Sequence, residues 1–245
     1  MGRTYKTTAG EFPSVTTILA LKDKSFILMP WAAKCVVEYL QKEVDKTGTL
    51  TLTSANSKKI LYDAKTYYKK ITEEACDIGS EVHGLIEGYV KFRIEGKEPL
   101  KPNWVIYDER VKNGFDAFLN WEKEHKVKWL ESELMVWHED GYAGTLDAVA
   151  VVDNILMVVD FKTSKAFYWG YLEQISAYAR AYAKRSGKKV KGMGCLRLDK
   201  ETGLPQWKST KDGWTLKEAG DAFRKFKCLL KLYQLEKVKK IKKGG

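Results

Sequence analysis

Hydrophobic positions change period several times along the chain, and each change marks an element. Residues 145–152 and 155–162 are two nearly unbroken apolar runs separated only by Asp153 and Asn154. Runs of that length predict strands covered on both faces, and the Asp-Asn pair predicts a tight turn. Residues 126–138 predict another strand through Val127, Trp129, Leu134 and Val136. Residues 189–198 and 205–210 predict a second hairpin around the polar loop 199–203. Helical spacing appears elsewhere. Ser14 caps a short helix, and Pro30 opens a helix through Leu40. Further helices are expected at 57–72, 73–95, 103–126, 169–185 and 215–240. In the 73–95 segment Ile78, Val82, Leu85, Ile86, Tyr89 and Val90 form one face, while Gly79, Gly84 and Gly88 predict close backbone packing. Residues 1–12 read as irregular, and 20–29 and 46–57 as loops. With no internal repeat and no Pro/Gly/Ser-rich linker, the pattern gives one α/β domain with a helical N-terminal elaboration.

Composition narrows the partner. The 43 Lys and Arg against 32 Asp and Glu leave a charge of +11, which favours a polyanion, either nucleic acid or an acidic membrane. The plain alternative is a lysine-rich surface that serves solubility. No apolar run approaches about 18 residues, so no membrane span is expected. The N-terminus lacks the apolar segment of a signal peptide. Cys35, Cys76, Cys195 and Cys228 are far apart and form no CxxC pair. Reduced thiols are expected, and neither a zinc knuckle nor a closely spaced iron–sulfur site fits.

Asp147, Asp160 and Lys162 break the apolar runs and need a reason, because an unpaired buried charge is costly. Side chains alternate along a strand, so Asp160 and Lys162 share a face. A hairpin turning at Asp153-Asn154 puts Asp147 opposite Asp160. Two carboxylates beside an ammonium make a hard-oxygen site for Mg²⁺ or Mn²⁺; the plainer reading is a buried ion pair with a neighbouring acid. Glu133 lies in the preceding strand. It is either a further contact to a metal or its water, or an exposed strand residue, and the strand pattern by itself leans to the second. His83 shares a helix face with Glu87. Gln174 and Tyr178 sit one turn apart on the helix that follows the hairpin; Tyr178 reads equally as a base-stacking ring and as core. The basic run Lys237, Lys239, Lys240, Lys242 and Lys243 reads as a solvated end or a phosphate contact.

Four ordered motifs resemble one superfamily. They are Gly79-Ser80-Glu81-Val82-His83, Gly144-Thr145-Leu146-Asp147, Asp160-Phe161-Lys162-Thr163 and Gln174-Ile175-Ser176-Ala177-Tyr178. Together they resemble the PD-(D/E)XK nucleases, in their RecB-like exonuclease branch. Pro13-Ser14-Val15-Thr16 and Pro30-Trp31-Ala32-Ala33-Lys34 resemble bacteriophage members and the mitochondrial genome maintenance exonuclease. The likeness covers about residues 12–210. It implies a restriction-endonuclease-like core at about 73–210, a mixed sheet flanked by helices. Residues 12–72 would be an arch-like elaboration and 211–245 a C-terminal helix with a basic tail. It implies His83, Asp147, Asp160 and the Phe161 carbonyl as ligands of one or two Mg²⁺ or Mn²⁺ ions, and Lys162 as the catalytic lysine. Gln174 and Tyr178 would support the active site and DNA, and Ser14, Thr16 and Trp31 would contact DNA. Trp31, Tyr62, Tyr67 and Tyr68 are candidates for stacking on bases. The expected activity is metal-dependent DNA exonuclease action on single strands or ends, with Mn²⁺ at least matching Mg²⁺. A structure-specific endonuclease or resolvase on the same fold, or a non-catalytic nucleic-acid-binding module, is the alternative. The absence of a G-x-x-x-x-G-K-[ST] motif means that any motor, like any replication or recombination partner, would be a separate protein. The expected location is the cytoplasm, the host's if the chain is viral.

Overall fold

The computed structural model describes residues 2–243. In chain order it has β1 (Thr4–Thr7), β2 (Gly10–Pro13), α1 (Val15–Leu19), α2 (Ser25–Thr47) and α3 (Ser57–Ile94). A 3-10 turn at Trp104–Ile106 precedes α4 (Glu109–Glu124), β3 (Val127–His138), β4 (Tyr142–Val152) and β5 (Ile155–Lys162). Then come α5 (Tyr171–Ser186), β6 (Gly192–Leu198), β7 (Pro205–Ser209) and α6 (Leu216–Lys243). The chain forms two compact units, one of residues 23–78 and the other of residues 1–22 with 79–245.

The larger unit holds a five-stranded mixed sheet in the order β3-β4-β5-β6-β7. The β4–β5 hairpin turns where the sequence places it. Asp153 and Asn154 have φ of 49° and 68°, the left-handed pair that a two-residue hairpin turn requires. Val152 pairs with Ile155 and Ala148 with Val159. β5 and β6 are the parallel pair, joined through α5. The other neighbours in the sheet are antiparallel.

Alternation along β5 sends side chains to two cores. Val158 joins Leu146 and Val149 beneath Ile175 and Tyr182 of α5, Ile18 of α1 and Phe226 of α6. Phe161, of opposite parity, meets Phe118 of α4 edge-on at 5.6 Å, and Trp129 of β3 at 6.2 Å. Trp121 of α4 packs on Trp207 of β7 at 4.8 Å. Helices therefore cover both faces, and the acid-bearing end of β5 lies between two apolar layers.

Several boundaries differ from the sequence expectation. Residues 4–13 form a hairpin instead of irregular chain. It is too short and polar to announce itself. Contacts to the sheet hold it: Tyr5 Oη lies 3.2 Å from Thr145 Oγ1, and the Phe12 ring 6.0 Å from Trp137. The expected helices at 57–72 and 73–95 are one continuous helix, α3. The 103–126 segment breaks at Tyr107, and Asp108 caps α4 through the Arg110 N–H. Pro30 lies inside α2, which begins at Ser25, so it costs that helix a backbone hydrogen bond.

In the smaller unit, Cys35 and Ala64 are buried between α2 and the first part of α3. Trp31 meets Tyr68 edge-on at 6.3 Å, and Tyr39 meets Tyr67 at 5.4 Å. The Tyr67 hydroxyl accepts from Lys42 Nζ at 2.6 Å. Of the aromatic rings expected to stack on bases, Tyr62 is the exposed one, and the other three are engaged within this unit. None of the four cysteines is joined in a disulfide among the described residues. Among the described residues no helix is long and apolar enough to cross a membrane. The side chains of the basic run from Lys237 onward lie outside the described residues.

Candidate metal centre

Three elements bring polar side chains to the end of the β4–β5 hairpin. The backbone ladder between these strands stops at Ala148 and Val159. One step further the Asp147 carboxylate takes over, and its Oδ2 accepts from the Phe161 N–H at 2.7 Å. Across β4 on the other side, the β3 register passes from Ser132 to Leu134 and leaves Glu133 unpaired opposite Asp147. Glu133 has φ +47°, an unusual backbone state for a residue with a side chain. His83 arrives on α3. One turn earlier stands Gly79, where a Cβ would lie 2.9 Å from Thr163 Oγ1, so this glycine lets the helix backbone approach the end of β5. Gly84 and Gly88 have no neighbour within 4 Å of that position, so the close packing expected of three glycines belongs to Gly79 alone.

His83, Glu133 and Asp147 each offer a ligand atom, and these atoms all lie within 4.8 Å of one another. Nδ1 of His83 is 3.9 Å from Oδ2 of Asp147. Two of the three expected side-chain ligands are thus brought together, and Glu133 takes the third place. Asp160 does not belong to this trio. Its carboxylate faces the Lys162 ammonium in a buried ion pair, as their shared strand face predicts. Burial separates the roles: the side chain of Asp160 is 1% exposed, while those of Asp147, Lys162 and His83 retain 15%, 17% and 30%. The trio opens to solvent and Asp160 does not.

Electrostatics marks the cluster as short of positive charge. Burial pushes the Glu133 carboxyl up to about 7, with help from the charges of Asp147 and Glu87. Burial likewise raises Asp147 and Asp160, against the pull of Lys162. It lowers His83, and Lys162 lowers it further, which favours the neutral imidazole that ligates metals. Burial also acts downward on the Lys162 ammonium, but Asp160 and Asp147 outweigh it and hold that group above its ordinary range. Oδ2 of Asp160 faces the Lys162 ammonium, whereas its buried Oδ1 has no hydrogen-bond partner. Buried carboxylates are normally satisfied by donors or a cation. One imidazole and two carboxylates with ligand atoms within 4.8 Å of one another could hold a metal ion.

The remaining expected site residues fall in different places. Gln174 and Tyr178 share a face of α5, with Gln174 Nε2 3.4 Å from the Tyr178 hydroxyl. Tyr178 is a core residue, 4% exposed, so it has no face free to stack on a base. Its ring fills the space above Gly144, where a Cβ would lie 2.6 Å from Cε1. Ser14 is buried, and its hydroxyl caps α1 by accepting from the Thr17 N–H at 2.9 Å. That hydroxyl also lies 2.9 Å and 2.7 Å from those of Thr16 and Thr17, so Ser14 is committed to the cap instead of to a phosphate. Thr16 remains exposed, and Trp31 packs within the smaller unit. The residue that sequence reasoning undervalued is Glu133. Its signal was an acid immediately before Leu134 within the strand, at the position opposite Asp147. The sequence matches no protein-family model and no curated protein.

Proposed function

We propose that this chain is a divalent-metal-dependent nuclease of PD-(D/E)XK type, acting as a DNA exonuclease on single strands or free ends. The observation that carries the reading is the convergence of His83, Glu133 and Asp147 beside the buried Asp160–Lys162 pair. The mixed sheet and the order of motifs along it support the same reading. His83, Glu133 and Asp147 would hold the cation, with Asp160 close by as a further acidic group. A divalent ion supplies positive charge to a phosphate and acidifies water for attack. Lys162, held protonated by Asp160 and Asp147, offers a second positive charge to phosphate oxygens as negative charge builds on them. Asp160 positions that ammonium through their ion pair. Gln174 lies on α5 with Tyr178, whose buried ring supports Gly144, three residues before Asp147. The charge of +11 suits a nucleic-acid substrate.

The test is digestion of end-labelled single- and double-stranded DNA with Mg²⁺, Mn²⁺ or EDTA, beside circular single-stranded DNA. An exonuclease shortens the linear strands in a metal-dependent way and leaves the circle intact. Cutting of the circle makes the protein an endonuclease. No cutting of any substrate with either metal, with DNA binding retained, makes it a binding module. Asp147→Asn should reduce cleavage about 10²-fold or more while leaving DNA binding largely in place.

A further inference from the structure

The loop between β5 and α5 leaves the cluster at Lys162 and presents two neighbouring aromatic side chains to solvent. Tyr168 is 52% exposed and Trp169 is 87% exposed. Large rings are costly to display in water, so an adjacent exposed pair marks a contact surface. Ring contacts tie this pair to the cluster. Lys162 Nζ lies over the Tyr171 ring at 5.2 Å, and the Tyr171 ring meets Tyr168 edge-on at 5.9 Å. The backbone fixes the same turn, with the Tyr171 N–H donating to the Tyr168 carbonyl at 3.2 Å. Those two steps together span about three nucleotides at the ~3.4 Å rise of a duplex strand.

The charge around the pair selects the occupant. Residues 163–172 contain a lysine and no carboxylate. Lys165 is exposed, and Lys208 Nζ lies 4.9 Å over the Phe167 ring at the base of the loop. The first carboxylate beyond, Glu173, is buried and neutralised by Lys22 at 2.5 Å. Exposed rings beside cations, on a loop that itself carries no carboxylate, suit unpaired bases carried on a phosphate backbone, because every base offers a π-face and every linkage an anion.

We infer that Tyr168 and Trp169 form a stacking platform that grips unpaired bases of a single-stranded nucleic acid about one to three nucleotides from the scissile phosphate. This inference rests on the nuclease reading and gives that site its substrate: a single strand, or a duplex end that has been melted. Stacking reads no sequence, so the platform would hold any strand and set its register against Lys162.

The test uses the full chain in EDTA and a fluorescein-labelled thymidine 20-mer, followed by anisotropy. Tyr168→Ala/Trp169→Ala should weaken binding about 5- to 150-fold, the range for losing one stacked base. Trp169→Phe should keep most of the affinity. With a 20-mer that is abasic throughout, wild type and double variant should bind alike, since no base is left to stack. Equal binding of the thymidine 20-mer by wild type and double variant overturns the platform. So does an equal loss on the abasic strand, which would assign the effect to backbone contacts. A lysate protein that binds wild type but not the double variant, with DNA affinity unchanged, would make the pair a protein-docking surface instead. Cleavage by the wild-type chain with Mn²⁺, measured in parallel, keeps the two claims apart: an inactive wild type defeats the nuclease reading, whereas an active one with equal binding defeats the platform alone.

Discussion

Replacing Lys162 with methionine isolates the central ion pair. Methionine keeps the length of the side chain and removes its charge. Asp160 is then left buried, with no hydrogen-bond donor and no cation. Breaking a buried pair by removing one partner costs about 3–5 kcal/mol. Because 17% of Lys162 is exposed, water can approach from the cleft, so the low end near 3 kcal/mol is expected. At about 2–4 °C per kcal/mol for a chain of this size, Tm should fall by roughly 6–12 °C. The dependence on pH is the sharper signature. Burial already raises Asp160 above an ordinary carboxyl group, and Lys162 opposes that rise. In Lys162→Met the opposition is gone and the folded-state value climbs further. A group whose folded value exceeds its unfolded one favours folding below the unfolded value near 3.9, and this contribution is lost as pH rises through the folded value. The deficit should therefore be largest at pH 8 and shrink towards pH 5. Urea unfolding in EDTA at several pH values measures this, and Asp160→Asn/Lys162→Met should recover much of the loss at pH 8. A Lys162→Met protein that unfolds within 1 kcal/mol of wild type at pH 8, with no trend in pH, would refute the account of Asp160 as an unrelieved buried acid.

Two further substitutions probe the cluster from other sides. Glu133→Gln removes a carboxyl that burial and Asp147 hold near pH 7, so in EDTA at pH 8 it should stabilise the fold by about 1 kcal/mol, allowing for solvent screening. The wild-type chain should correspondingly lose stability as pH rises through about 7, the direction for a raised acid. Millimolar Mn²⁺ should reverse the order, because the wild type then gains more binding energy; thermal melts with and without metal decide it. Gly144→Ala would place a Cβ 2.6 Å from the buried Tyr178 ring. Overpacking of about 1–3 kcal/mol, less a few tenths for the glycine's lost entropy, should lower Tm by roughly 2–8 °C, and a melt unchanged within 1 °C would show that the ring yields freely.

The sequence by itself determined the local framework. Two apolar runs around Asp153-Asn154 dictate the hairpin and its register, because only that turn keeps both runs facing the cores. Period alone also places Asp160 and Lys162 on one face, and the helical spacing gives α5 and α6 to within a few residues. Tertiary structure decided which acids meet. The sequence pairs Asp147 with Asp160, and the charge of Asp147 does reach Asp160, but the ladder ends at Ala148 and Asp147 Oδ2 accepts from the Phe161 N–H. Glu133 joins His83 through a left-handed backbone kink in β3, which no hydrophobic period encodes. Tyr178 becomes core because Gly144 leaves room for its ring, and Ser14 becomes a buried cap because α1 packs beneath the sheet. Strand and helix follow from neighbours in the chain. The composition of a polar cluster follows from where packed layers bring remote residues, and there the cost of burying each charge selects its companions.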